Sequence, residues 1–272
     1  EDFSDLMENQ AVKQTNLVEK DLLDKIQNDP ILHLYISPSQ NLSEVAQSAQ
    51  ALLDQNAIDY SIQINPIPEK NWNEEWMKYY HPVHVSDCMT IVPRWIDYTG
   101  KPNETIVLLD PGAAFGTGTH ETTKLCLSAL ERYVNPDDRM LDVGTGSGIL
   151  AITSLLLGAK SADAVDIDPL SIKAARENAQ LNQVEKKLNV KLGNLLDHAS
   201  GQYQIITANI VADVIISMLP SLKQYMTNSG VLILSGIIRE RADHVLSALQ
   251  NNNYTIQEQA QDGEWIAFIV TK

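Results

Sequence analysis

The stretch RMLDVGTGSGILAI, residues 139–152, constrains the fold more than any other part of the chain. An apolar run of strand length ends at Asp142-Val143-Gly144-Thr145-Gly146-Ser147-Gly148, and an apolar helical run follows at once. A strand that turns into a helix through three alternate glycines fits the first half of a β–α–β crossover. Such crossovers need parallel strands with helices over the sheet faces. Glycine at 144 and 146 lets the backbone turn tightly and come within contact of a ligand, and Gly148 lets the helix approach the strand. The spacing is G-x-G-x-G and not the G-x-G-x-x-G of dinucleotide binders.

The flanking sequence keeps the same rhythm. Helical patterns at 120–134, 148–159, 169–182 and 239–250 interleave with strand patterns at 139–144, 162–168, 188–194, 203–210 and 230–238. Pro169 stands at the first position of its helix with Asp168 as the cap. Strands apolar on both faces suit a buried parallel sheet. At the end, YTIQEQAQ and EWIAFIVTK flank Asp262-Gly263 as an antiparallel hairpin. These patterns predict an α/β fold with a doubly wound, mostly parallel seven-stranded sheet over residues 101–272.

Ahead of it, residues 1–70 read as a small α+β domain. It has a weakly helical stretch at LVEKDLLDKIQ, a strand at ILHLYIS, an amphipathic helix through Leu42 to Leu53, and a strand at IDYSIQINPIP. Residues 71–100 read as an aromatic-rich connector. NWNEEWMKYYHPVHV is too rich in Trp and Tyr for a flexible linker, and it serves either to pack domains together or to contact a substrate. MTIVPRWIDY and ETIVLLD have strand character.

Twenty basic residues against 35 acidic ones leave a formal charge of −15. That field repels nucleic-acid phosphates and favours cationic partners, and it also serves solubility. Cys88 and Cys126 are the only cysteines and form no C-x-x-C, as suits a reducing cytoplasm without a cysteine zinc site or other metal centre. No apolar run approaches the ~18 residues that cross a bilayer, and no signal pattern opens the chain. A cytoplasmic location is expected, and no feature bears on oligomeric state.

The strand ADAVDID carries Asp166 and Asp168, 22 and 24 positions beyond Gly144. An acid about 20 residues after the first glycine, at the carboxyl end of the next strand, is placed to accept both ribose hydroxyls of an adenosine. Asp142 puts a further negative charge beside the glycines. That charge disfavours a pyrophosphate and favours a cation, such as the ammonium and sulfonium of S-adenosyl-L-methionine. Asn209 stands at the end of strand YQIITANI, where ligands bind in an open α/β sheet, and its carbonyl can accept a hydrogen bond from an amine.

DPGAAFGTGTHETT, LDVGTGSGILAI, AVDIDPLSI, ANIVADVI, LSGII and EWIAFIVTK together resemble the ribosomal protein L-eleven methyltransferase family, class-one S-adenosylmethionine-dependent enzymes, over residues ~70–272. The resemblance implies methylation of amino groups, lysine side chain or N-terminal amine, on a basic large-subunit ribosomal protein. It further implies that Thr123, Gly144, Gly146, Asp166 and Asn209 contact the cofactor, and that residues 115–119 form a lid over its methionine end. Asn209 is the residue expected to orient the amine. Capping is the alternative for Thr122 and Thr123, and a turn role for Asn209; Asn194 is a further candidate near the adenine, and His120 a candidate base or a backbone partner. The family's amino-terminal domain normally opens with an added strand and helix, so the small domain is expected to be incomplete at its start. The alternative function is methylation of another small amine or a nucleic-acid base. Against a base, Ile210-Val211 replaces the Pro-Pro-aromatic that follows the corresponding Asn or Asp in exocyclic-amine methyltransferases.

Overall fold

The computed structural model describes residues 41–64, 77, 80–110, 116 and 118–272. The chain divides into two compact units, Glu1–Pro68 and Glu69–Lys272. In the first unit, helix α1 (Leu42–Gln55) starts where Asn41 Oδ1 accepts the Ser43 N–H at 3.1 Å. The helical stretch expected near residues 17–27 and the strand expected at 31–37 lie outside the described residues. The strand expected from Ile58 does not form over residues 58–64, which are irregular. Its alternating isoleucines need a partner strand to make a ladder, and these residues have none among the described ones.

The second unit opens with a three-stranded sheet. Strand β1 (Val83–Ser86) pairs antiparallel with β2 (Met89–Pro93), and β2 pairs in parallel with β3 (Thr105–Leu109). The boundary expected between residues 100 and 101 therefore falls inside a sheet. Within the expected connector, MTIVP forms the expected strand, β2, and is buried along its whole length, while Val83 and Val85 of β1 are half-buried against the core. Thr90 donates its hydroxyl to Glu104, and Tyr98 reaches the same carboxylate at 3.0 Å, so the turn back to β3 is tied by side chains.

The main sheet comprises β4 (Arg139–Val143), β5 (Ser161–Asp166), β6 (Leu188–Leu192), β7 (Tyr203–Asn209), β8 (Met226–Ile238), β9 (Thr255–Asp262) and β10 (Trp265–Thr271). Its order is β6-β5-β4-β7-β8-β10-β9. β4 to β8 run parallel, and β10 is antiparallel to both β8 and β9. The expected doubly wound sheet with its closing hairpin is present, and the hairpin places its second strand inside the sheet.

Alternation along each central strand divides the core in two. Met140, Ile205 and Ile233 face one layer; their neighbours Leu141, Ile206 and Leu232 face the other. The first layer is covered by α2 (Glu121–Tyr133), α3 (Ile149–Leu156), α4 (Pro169–Leu181) and the small sheet; the second by α5 (Ala212–Leu222) and α6 (Ala242–Asn251). Burial of both faces is the physical reason these strands are apolar throughout. The small sheet is moored to α4 by amides that act as backbone: Asn182 accepts the Leu108 N–H at 2.9 Å and donates to Leu108 O at 2.7 Å. Asn178 accepts the Asp110 N–H at 2.8 Å. The helix expected over 239–250 begins with a single 3-10 turn, Arg239–Arg241, and β8 starts four residues earlier than expected.

Cys126 in α2 is fully buried and Cys88 is exposed. Burial pushes the Cys126 thiol up to about 12, so at pH 8 it presents neither access nor thiolate. A native thiol titration at pH 8 is expected to count one reactive cysteine, and a second only after denaturation. Two reactive thiols in the native protein would mean that α2 is not seated on the sheet.

Candidate active site

The head of β4 sets the site. Gly144 has φ +73°, a conformation that costs an L side chain roughly 1–2 kcal/mol. In it the Gly144 and Thr145 N–H groups donate to Val165 O at 2.8 and 3.1 Å, which clamps the turn onto β5. A Cβ at Gly144 would lie 2.4 Å from Ile210 Cγ2. Gly148, at φ +82°, lets α4 close in, since a Cβ there would stand 3.0 Å from that of Ala175.

Next in line, the Gly146 N–H donates to Asp166 Oδ2 at 2.8 Å, and Asp168 N–H to Asp166 Oδ1 at 3.0 Å. Each carboxylate oxygen thus keeps one acceptor position, and the carboxylate is fixed at the carboxyl end of β5.

Asp142 differs from its sequence reading as a charge beside the glycines. Its side chain is 1% exposed. Thr145 donates to one oxygen at 2.6 Å and Thr207 to the other at 2.5 Å. Burial raises its pKa while the two hydroxyls work against that rise. The carboxylate sits mid-core because β4 is the central strand, and it ties the glycine loop to β7.

Two other sequence candidates share an unusual property. Thr123 Oγ1 and Asn209 Oδ1 are buried polar atoms with no hydrogen-bond partner. An unpaired buried acceptor costs about 1–3 kcal/mol, so such an atom calls for a functional or solvent explanation. Thr123 lies in the first turn of α2, and Asn209 is the last residue of β7. A chain of contacts connects them to the glycine loop. Ser235 Oγ donates to Thr122 O at 3.2 Å, Ile210 N–H donates to Ser235 O at 3.2 Å, and Ile210 covers Gly144. Thr123, Gly144, Gly146, Asp166 and Asn209 are thereby brought to one end of one sheet.

The capping role weighed for Thr122 and Thr123 belongs to His120. Its Nδ1 accepts the Thr122 N–H at 3.3 Å and stands 2.9 Å from the Thr122 hydroxyl, while its ring meets Trp265 edge-on at 4.9 Å between centroids. With Nδ1 used as a cap acceptor, the backbone-partner reading of His120 is the one its geometry matches. Asn194 donates its N–H to Asp197 Oδ2 at 2.9 Å in the turn after β6. Of the glycine-threonine loop before α2, residues 111–115 and 117 lie outside the described residues. Gly116 O accepts the Ser147 hydroxyl at 2.6 Å, and Gly118 packs against Ile91 of β2.

Ile210 was missed by sequence reasoning, although two glycines signal it. A Cβ at Gly236 would lie 2.5 Å from Ile210 O, just as one at Gly144 would strike its side chain.

The model of the family described as ribosomal protein L11 methyltransferase (PrmA) matches residues 3–272. The chain belongs to the ribosomal protein L11 methyltransferase family. Membership makes it a methyltransferase of ribosomal protein L11 with S-adenosyl-L-methionine as methyl donor. A ribosomal protein L11 methyltransferase of Listeria monocytogenes is 41% identical over 241 residues, covering 86% of this chain and 77% of the relative. One from Listeria welshimeri is 46% identical over 207 residues, 76% of this chain and 66% of that one. A crystal structure of ribosomal protein L11 methylase from Lactobacillus delbrueckii subsp. bulgaricus superposes with a TM-score of 0.67 at 37% identity, covering 71% of this chain and 99% of that one.

For this L11 methyltransferase family member, Gly144→Ala combines a left-handed φ with a clash against Ile210. Thermal melting is expected to fall by roughly 2–8 °C for a loss of about 1–2 kcal/mol in a domain of this size. An unshifted melting temperature would contradict the packing of Ile210 on the loop.

Proposed function

We propose that the protein transfers methyl groups from S-adenosyl-L-methionine to amino groups of ribosomal protein L11, a lysine side chain or the N-terminal amine, in the cytoplasm. The observation that carries this reading is Asp166, a carboxylate held by two backbone N–H groups with one acceptor position open on each oxygen. Two neighbouring ribose hydroxyls match that pair of acceptors. The unpartnered atoms support the same reading. Thr123 Oγ1 faces a cost of burial that a polar cofactor group would relieve.

When bound, the sulfonium supplies an activated methyl group. The chain's own work is to bring an amine in line with the S–C bond and to keep its lone pair free. A lysine amine is protonated at neutral pH, with a pKa near ~10.4 in water, and desolvation on entering a closed site lowers it. The proton leaves to solvent before transfer, so no strong base is needed. Asn209 Oδ1, buried and unpaired, accepts an N–H of the neutral amine and turns the lone pair away from itself. The lid role of residues 115–119 and substrate recognition by residues 1–70 complete the proposal. The charge of −15 favours a basic protein partner over nucleic acid.

Incubation with labelled S-adenosyl-L-methionine, L11 and ribosomal RNA is expected to label L11 alone, with mass spectrometry placing methyl groups on amines. Label on RNA, or on L11 at a non-amine atom, would overturn the proposal. Asp166→Ala is expected to weaken cofactor binding by tenfold or more. Asn209→Ala is expected to keep cofactor affinity and slow transfer by roughly ten- to a hundredfold, the scale of one buried hydrogen bond. The reverse pattern would exchange the two roles and refute the assignment.

A further inference from the structure

Exposed apolar side chains are normal when scattered and informative when gathered. Among the described residues of the second unit, the exposed large aliphatics are Ile167, Leu170, Leu192, Val211 and Ile238. All five follow or close the carboxyl end of a parallel strand. Ile167 and Leu170 come after β5, Leu192 ends β6, Val211 comes after β7, and Ile238 ends β8. The first three flank the Asp166 side of the edge. Val211 and Ile238 flank the Asn209 side, away from the ribose carboxylate.

Ile210 links the two strand ends that carry them. Ile210 N–H donates to Ser235 O, and the Ile210 carbonyl lies over Gly236, two residues before Ile238. Beyond the pair, Asp213 and Arg241 form an ion pair that ties the start of α5 to the turn after β8. Val211 is 65% exposed and Ile238 41%. Asp213 and Glu240 lie two residues beyond Val211 and Ile238, Asp243 follows in the first turn of α6, and Asp262 and Glu264 flank the hairpin turn before Trp265, which pairs with Ile238; the Arg239 N–H is held by Glu264 O at 2.8 Å. Of the two guanidiniums here, that of Arg241 is held by Asp213.

We infer that Val211 and Ile238 form an apolar lip beside Asn209 on which the substrate protein seats an aliphatic side chain next to its target amine, with the surrounding carboxylates receiving the basic residues of the same segment. This rests on the proposed reaction and adds a docking surface within the second unit. Three features fix the occupant as a basic protein segment. The lip adjoins the residue that receives the amine. Its aliphatic pair suits a side-chain anchor, since two adjoining side chains present too little area for a stable dimer. With Asp213 and Arg241 paired to each other, Glu240, Asp243, Asp262 and Glu264 against Arg239 leave this edge net negative, which complements positive charge.

The test uses the full chain with S-adenosyl-L-methionine and L11. Both side chains are exposed, so Val211→Ser with Ile238→Ser is expected to leave the melting temperature within a degree or two of wild type. KM for L11 is expected to rise about tenfold, which is about 1.4 kcal/mol, with cofactor affinity unchanged and the loss recovered at high L11 concentration. Val211→Lys with Ile238→Lys is expected to raise KM further, with the added part shrinking as salt increases. An unchanged KM in the serine variant would overturn the inference. So would a loss of cofactor affinity, which would make the lip part of the cofactor site, or a changed sedimentation coefficient with unchanged KM, which would make it a contact between two copies. Wild-type protein that binds the cofactor without methylating L11 would instead refute the proposed reaction, a result distinct from any of these.

Discussion

The arrangement depends on a clamp between two neighbouring parallel strands. The turn that leaves β4 gives its Gly144 and Thr145 N–H groups to the last carbonyl of the β5 core, and its Gly146 N–H to the carboxylate that ends β5. Below the turn, the buried Asp142 carboxylate binds hydroxyls of the loop and of β7. Three adjacent strands are thereby registered at their carboxyl ends. A buried carboxylate is costly without partners, and here two hydroxyls compensate it while fixing geometry. This clamp is why Asp166 is presented with a fixed orientation and why Asn209 ends up across the loop from it.

Much of this was legible in the sequence because the signals were local. Glycines at alternate positions between a strand and a helix have few physical uses, and the acid at the end of the following strand has one geometric place. Asp168 and Pro169 marked the start of α4, and Asp262-Gly263 marked the hairpin, where the structure has them. The position of the hairpin's second strand inside the sheet is a matter of pairing order, which is not written in a local pattern.

What was not legible arises from long-range contacts. Asp142 read as a charge lining the site because sequence shows an acid beside glycines; the threonine 65 positions away that engages it is invisible at that range. Ile210 read only as part of a departure from the Pro-Pro-aromatic pattern, while in three dimensions it is the wedge between Gly144 and Gly236. The strand character of MTIVP was legible, but its place in the core was not, because that follows from its pairing with β3, which the amides at the end of α4 hold. At Ile58–Ile64 the reverse holds: alternation without a described partner strand leaves irregular chain.

The account turns on how the adenosyl group is held, and a crystal structure with S-adenosyl-L-homocysteine addresses that directly. It predicts both ribose hydroxyls within hydrogen-bond distance of the Asp166 carboxylate, with Thr123 Oγ1 newly paired. A ligand seated elsewhere, or at this edge with Asp166 turned from the sugar, would contradict it.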